Sequence, residues 1–170
     1  AVRQDGRSAS LTAPNAAAQE TLLNAAGAMA PLEQRIGDRG LEAHGTGTAL
    51  GDPIEMAAVR AVDRERDSPP LAVGATKASF GHSEAASGLG GLLSILAMLD
   101  QAGGAPTAQL RRINPLIRDG QGVNEQPTSF NTQRDRRVDI VTGVSSFGYS
   151  GTIAHALARR AQPIGSINPL

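Results

Sequence analysis

The 170-residue chain contains no cysteine. That excludes disulfides, thiolate-ligated metals and a cysteine nucleophile supplied by this chain. Tryptophan is also absent, and aromatic residues make up only 2% of the sequence. A core must therefore be built from Ala, Leu, Ile and Val, with backbones approaching closely at many of the 20 glycines. Net charge is zero, and no basic stripe marks a nucleic-acid or anionic-membrane partner. The longest apolar run, residues 85–99, is too short and too glycine-rich for a membrane span, which needs about 20 residues. No apolar signal-like segment opens the chain, and it begins without Met in a strand-like or loop-like context. A piece of a longer protein is the expectation, cytoplasmic by default, with any organelle-targeting segment upstream of residue 1.

The length permits one domain with a real core. Residues 12–30 read as a helix, with Pro14 or Asn15 near its start and Pro31 as its stop. A short strand is expected over 38–44, ending at His44. Pro53 suits the first position of a helix reaching about Asp63, with Asp52 as N-cap. Residues 70–76 form a brief apolar run, consistent with a buried strand. The strongest helix signal covers 83–103; it is apolar on nearly all faces and is expected to be buried and central. Its Gly88, Gly90 and Gly91 each cost roughly 1 kcal/mol relative to Ala, which a backbone packed against them would explain. Residues 104–136 lack a clear period, and a loop that long usually covers something or has a role. Two β-rich runs follow over 137–160, around the glycines of FGYSG. Helices alternating with short buried strands define the class as α/β.

Three histidines carry the candidate chemistry. His44 heads a Gly-Thr loop, HGTGTALGDPIE, where Gly45 and Gly47 let a ligand approach and Thr46 and Thr48 offer hydroxyls. His82 stands just before the long helix, where the positive end of the dipole disfavours its protonated form. A neutral imidazole there donates an N–H to an anionic oxygen, a device suited to stabilising enolates; a simple helix cap is the plainer reading. Lys77 and Glu84 flank it and could pair as ions, or both face solvent. His155, inside an apolar run, reads as a hydrogen-bonded buried histidine. A three-histidine metal site is poorly supported, because no local HxH or HExxH pair exists, and no metal is expected.

Five segments in order resemble the C-terminal half of a β-ketoacyl synthase, the ketosynthase domain of polyketide and fatty-acid synthases. They are VRQDGRSASLTAPN (2–15), EAHGTGTALGDPIE (42–55), GATKASFGHSEAASG (74–88), NPLI (114–117) and GVSSFGYSGTIAHA (143–156). The resemblance implies a thiolase-like αβαβα fold, of which residues 1–160 form one half-domain, with a mixed sheet and a buried central helix; residues 161–170 would start a tail or linker. It implies that His44 and His82 are the catalytic histidines of a decarboxylative Claisen condensation, supported by Lys77 and Glu84. Thr46 and Thr48 would hold the phosphopantetheine arm of an acyl carrier protein, with no tightly bound cofactor. The Tyr149 N–H would serve an oxyanion hole, and the Phe147 and Tyr149 rings would line the acyl pocket. Acyl carrier protein, the N-terminal ketosynthase half and a second copy in a homodimer are the implied partners. Arg3, Ser79 and Ile153 stand where the family usually has Asn, and Tyr149 where Phe is more frequent. The family's nucleophile is a cysteine in the N-terminal half, so this chain alone is expected to be inactive in condensation. A non-catalytic carrier-binding partner is the alternative.

Overall fold

The computed structural model describes residues 1–6, 14–29, 39–63, 71–101, 103–104, 107–119, 129–130, 135–136 and 141–161. The strands are β1 (Val2–Gln4), β2 (Arg39–Glu42), β3 (Ala72–Gly74), β4 (Gly103–Gly104), β5 (Ser129–Phe130), β6 (Asp135–Arg136), β7 (Val141–Phe147) and β8 (Thr152–Arg159). Six of them form the main sheet, in the order β1-β8-β7-β2-β3-β5, and a separate ribbon pairs β4 with β6. β7, β2, β3 and β5 run parallel, while β8 returns antiparallel beside β7 and β1 pairs antiparallel with β8. The C-terminal ends of β2, β3 and β7 therefore lie along one edge, the position at which open parallel sheets place their ligands.

The helices are α1 (Ala16–Ala28), α2 (Gly51–Asp63), α3 (Lys77–Phe80), α4 (Ser87–Asp100) and α5 (Pro115–Asp119). Asn15 caps α1 by accepting the Ala18 N–H at 3.1 Å. The main apolar cluster joins Leu41, Ala43, Val73 and Leu71 of the sheet region to Met56 and Val59 of α2 and Ile117 of α5. α4 lies on the sheet along a single line, Ser87, Gly91, Ile95 and Leu99, each four residues from the last. Its other face is exposed, with Leu89 and Leu93 at 64% and 65%. The helix expected to be buried and central rests on the sheet along this one line, with its outer face exposed in this half-domain.

The element ends differ from the sequence expectation for identifiable reasons. β2 stops early because the N–H groups of His44 and Gly45 turn away from the sheet to the Glu55 carboxylate. α2 starts two residues before Pro53: Thr48 Oγ1 accepts the Gly51 N–H at 3.0 Å, and Asp52 accepts the Gly47 N–H at 3.1 Å instead of capping the helix. The segment expected to be helical from 83 opens as a 3-10 turn over Glu84–Ala86 before α4. The aperiodic 104–136 stretch contains α5, whose start is capped by Asn114, its Oδ1 accepting the Leu116 N–H at 3.0 Å. The paired strands at the end are β7 and β8, joined by a turn at 148–151. No described helix is long and apolar enough to cross a membrane. The 161–170 tail lies outside the described residues beyond 161.

Candidate active site

Parallel pairing of β2 with β7 sets Glu42 beside Val144, so the residues just beyond, His44 and Phe147, meet at the sheet edge. The Phe147 N–H donates to His44 Nδ1 at 3.3 Å, and the two rings lie 5.1 Å apart. His82 arrives from β3 by way of α3; its ring stands edge-on to His44, with centroids 5.6 Å apart at 85°. The Glu84 N–H donates to His82 Nδ1 at 2.9 Å. Both imidazoles therefore accept a backbone N–H at Nδ1, which in the neutral form places the ring proton on Nε2. Neither Nε2 has a hydrogen-bond partner among the described residues, so each is open to a ligand. Burial, with help from the charges of Lys77 and His82, pulls the His44 pKa down to about 4, so His44 is neutral at physiological pH.

Glu55 organises the loop. It is 4% exposed, and its Oε1 and Oε2 accept the N–H groups of His44 at 2.7 Å and Gly45 at 3.0 Å. Burial raises its pKa to about 7 against the pull of those two N–H groups. Gly45 takes φ +46, and a Cβ there would press on the Ala75 Cβ at 3.0 Å, so this position admits only glycine without strain. Glu42 holds the neighbouring segment by accepting the Thr76 N–H at 2.6 Å. Neither glutamate was singled out from sequence. The available signal for Glu55 was an acid one residue before Met56 and four before Val59, on the apolar stripe of an amphipathic helix.

The other sequence candidates fall in the same region. Thr46 and Thr48 lie across from each other, their hydroxyls 3.5 Å apart. A cavity of about 370 Å³ brings together His44, His82, Thr46, Thr48, Phe147 and Tyr149, with Ile153 and Gln19 in its wall. Gln19 Oε1 is buried there with no hydrogen-bond partner among the described residues. A second cavity, about 560 Å³, opens on the other side of the loop beside Lys77 and shares Thr46, Asp52, Glu55 and His82 with the first. Of the two readings of Lys77 and Glu84, an ion pair between them is not among the described contacts. Burial lowers the Lys77 pKa, opposed by the charges of Glu42, Glu55 and Asp52. Glu84 takes a left-handed φ of +46, and it meets His82 through its backbone N–H. His155 is buried and hydrogen-bonded to Ser145 Oγ at 3.0 Å, away from the cavity, as its apolar surroundings suggested. No group of three or more potential metal ligands occurs among the described residues.

Two imidazoles lining one cavity with a hydroxyl-bearing wall make an arrangement that can stabilise charge growing on an oxygen. Residues 1–111 match the family model described as "Beta-ketoacyl synthase, C-terminal domain". The chain belongs to the β-ketoacyl synthase family and is the C-terminal half of a ketosynthase domain with the thiolase-like fold. It is 42% identical over 176 residues to a spectinabilin polyketide synthase system protein of Streptomyces orinoci, covering 99% of this chain and 5% of that protein. It is 38% identical over 163 residues to a highly reducing polyketide synthase of Dothideomycetidae sp., covering 94% of this chain and 6% of that one. Among solved structures, the ketosynthase from module 6 of the bacillaene synthase of Bacillus subtilis superposes with a TM-score of 0.85 at 31% identity, over 96% of this chain and 30% of that one. The chain thus spans a small part of the polyketide synthases it matches and under a third of the ketosynthase structure.

Proposed function

We propose that this chain is the histidine-bearing half of a ketosynthase that condenses an acyl thioester with a malonyl group on an acyl carrier protein. The observation that carries this reading is the pair of imidazoles with Nδ1 occupied by backbone N–H groups and Nε2–H left for substrate. A malonyl thioester oxygen seated between them receives both N–H groups. When the bond to the carboxylate breaks, CO2 departs and its bonding electrons form an enolate, whose charge the two donors stabilise by about 3 kcal/mol each. The enolate carbon attacks the acyl group held as a thioester on a cysteine of the other half, and the cysteine leaves as a thiolate and takes up a proton. In the earlier acyl transfer, that thiolate adds to the acyl carrier's thioester carbonyl. The Tyr149 N–H meets the oxyanion, and the carrier thiolate leaves and is protonated.

In this reading Thr46 and Thr48 hold the phosphopantetheine arm, and the rings of Phe147 and Tyr149 flank the acyl group. Lys77 supports the site through its carboxylate neighbours and Glu84 through its N–H to His82. Residues 1–160 act with a cysteine-bearing N-terminal half, in an enzyme that pairs as a homodimer, and the isolated chain does not condense substrates. In the complete enzyme, His44→Ala and His82→Ala each lower malonyl-carrier decarboxylation by roughly a hundredfold or more. Decarboxylation at the unsubstituted rate in both variants would remove the proposal. A non-catalytic carrier-binding role is the competing reading; it predicts binding of phosphopantetheinylated carrier with no turnover in any assembly.

A further inference from the structure

The first strand of the sheet reaches past its own ladder to grip the turn between β7 and β8. Its last ladder pair sets Gln4 opposite Thr152. Beyond that pair, Gln4 Nε2 donates to the Ser150 C=O at 2.8 Å, and the Asp5 N–H donates to the Gly151 C=O at 2.8 Å. Thr152 Oγ1 donates to Gln4 Oε1 at 3.4 Å, which orients the amide with its NH2 group toward the turn. Gly151 has φ +88, and a Cβ at this position would meet Gln4 Nε2 at 2.6 Å as well as the Asp5 carboxylate. Strand and turn are in direct contact. The gripping corner is itself fixed, because Asn15 Nδ2 donates to the Asp5 C=O at 2.9 Å while its Oδ1 caps α1.

Backbone bonds fix the two ends of the turn: the Gly148 N–H reaches the Thr152 C=O at 2.7 Å, and the Gly151 N–H reaches the Gly148 C=O at 3.0 Å. The middle is held differently. The Tyr149 N–H donates to no group among the described residues, and Ser150 is held through its C=O, by Gln4. Gly148 and Tyr149 line the cavity that contains both histidines.

We infer that Gln4 is a positioning residue that, through Ser150, holds the Tyr149 N–H at the cavity for the acyl-transfer step. The inference rests on the reaction proposed above, with the cysteine thiolate of the other half as nucleophile. It separates the two half-reactions. Phe147, which sets the His44 ring, belongs to the β7–β8 ladder opposite Ile153 and does not depend on the middle of the turn. Losing the Gln4 contact therefore loosens the oxyanion donor and leaves the two histidines in place.

The test uses the complete ketosynthase carrying Gln4→Met, which keeps the side-chain length and removes the amide. Acylation is followed with an acyl N-acetylcysteamine thioester, and decarboxylation with malonyl-carrier protein in enzyme whose cysteine has been capped. The expected result is a ten- to hundredfold slower acylation, on the scale of losing part of an oxyanion donor, with decarboxylation unchanged within about twofold. Equal losses in both steps, or no loss in acylation, would overturn the inference. If Gln4→Met does not fold, Thr152→Val, which removes only the hydroxyl that orients the amide, shows the same split at smaller size or refutes it. If the unsubstituted enzyme neither acylates nor decarboxylates, the reaction itself is misassigned and the inference falls with it.

Discussion

Glu55 accepts two loop N–H groups while buried almost completely, and these facts pull its pKa in opposite directions, with burial winning. Its pKa rises from 4.5 to about 7, so the folded chain binds more protons than the unfolded chain across that interval. Its contribution to stability is greatest below the unfolded value and is lost as pH rises through about 7, a change on the order of 3 kcal/mol. His44 and His155 act in the other direction. Burial lowers both from 6.5 to about 4, so their contribution is present above 6.5 and is lost as pH falls toward 4. Glu55→Gln should therefore make the stability loss on acidification from about pH 6.5 to about pH 4.5 steeper than in the parent, as read from unfolding midpoints against pH. Parallel curves would show that Glu55 does not titrate there. The histidines and threonines were legible as residue types in a spaced motif. The Glu55 role was not, because its partners are backbone N–H groups that a sequence does not display. Whether Lys77 and Glu84 pair was open in the sequence for a related reason: the left-handed φ of Glu84 brings its N–H to His82, a contact that a sequence does not display.

At the scale of elements, α4 shows which part of a periodic signal survives folding. The apolar run predicted a helix, and a helix is there, but burial follows one line of residues. Its three glycines divide accordingly. A Cβ at Gly91 would meet Val144 Cγ2 at 3.0 Å and Glu42 Cγ at 3.2 Å, and one at Gly88 would meet Ser146 Oγ at 2.8 Å. Side chains of the sheet, not another backbone, explain these two. Gly90 has nothing within 4 Å. Gly91→Ala should cost about 1–3 kcal/mol by overpacking, whereas Gly90→Ala should stabilise the chain by about 0.5–1 kcal/mol through helix propensity. Denaturant unfolding of the two variants checks this, and equal effects would mean that α4 is not seated on β7 as described. The ends of β2 and α2 were illegible for the same reason as the Glu55 role, since side-chain bonds from Glu55, Thr48 and Asp52 decide where the backbone leaves each element.

Over the whole molecule, the outward face of α4 presents Leu89, Leu93 and Leu96, spaced by four and three residues so that they share one stripe. An apolar stripe of this kind on a sheet-packed helix is a surface prepared for cover. The ketosynthase from module 6 of the bacillaene synthase, which this chain overlays, extends well beyond the aligned part, with 30% of that chain covered. If the remainder includes the half that closes over α4, burying each leucine would add on the order of 1–2 kcal/mol to assembly. The chain expressed alone should then associate with itself at micromolar concentration, because the stripe has only other copies to meet. Leu93→Glu puts a charge in the middle of the stripe without touching the face that rests on the sheet. It should leave the isolated chain folded and shift it toward monomer in sedimentation velocity. In the reading proposed above, the same substitution should weaken assembly with the cysteine-bearing half, and condensation with it. A monomeric parent chain, or a Leu93→Glu variant that assembles and turns over like the parent, would show that this face is not where the two halves meet.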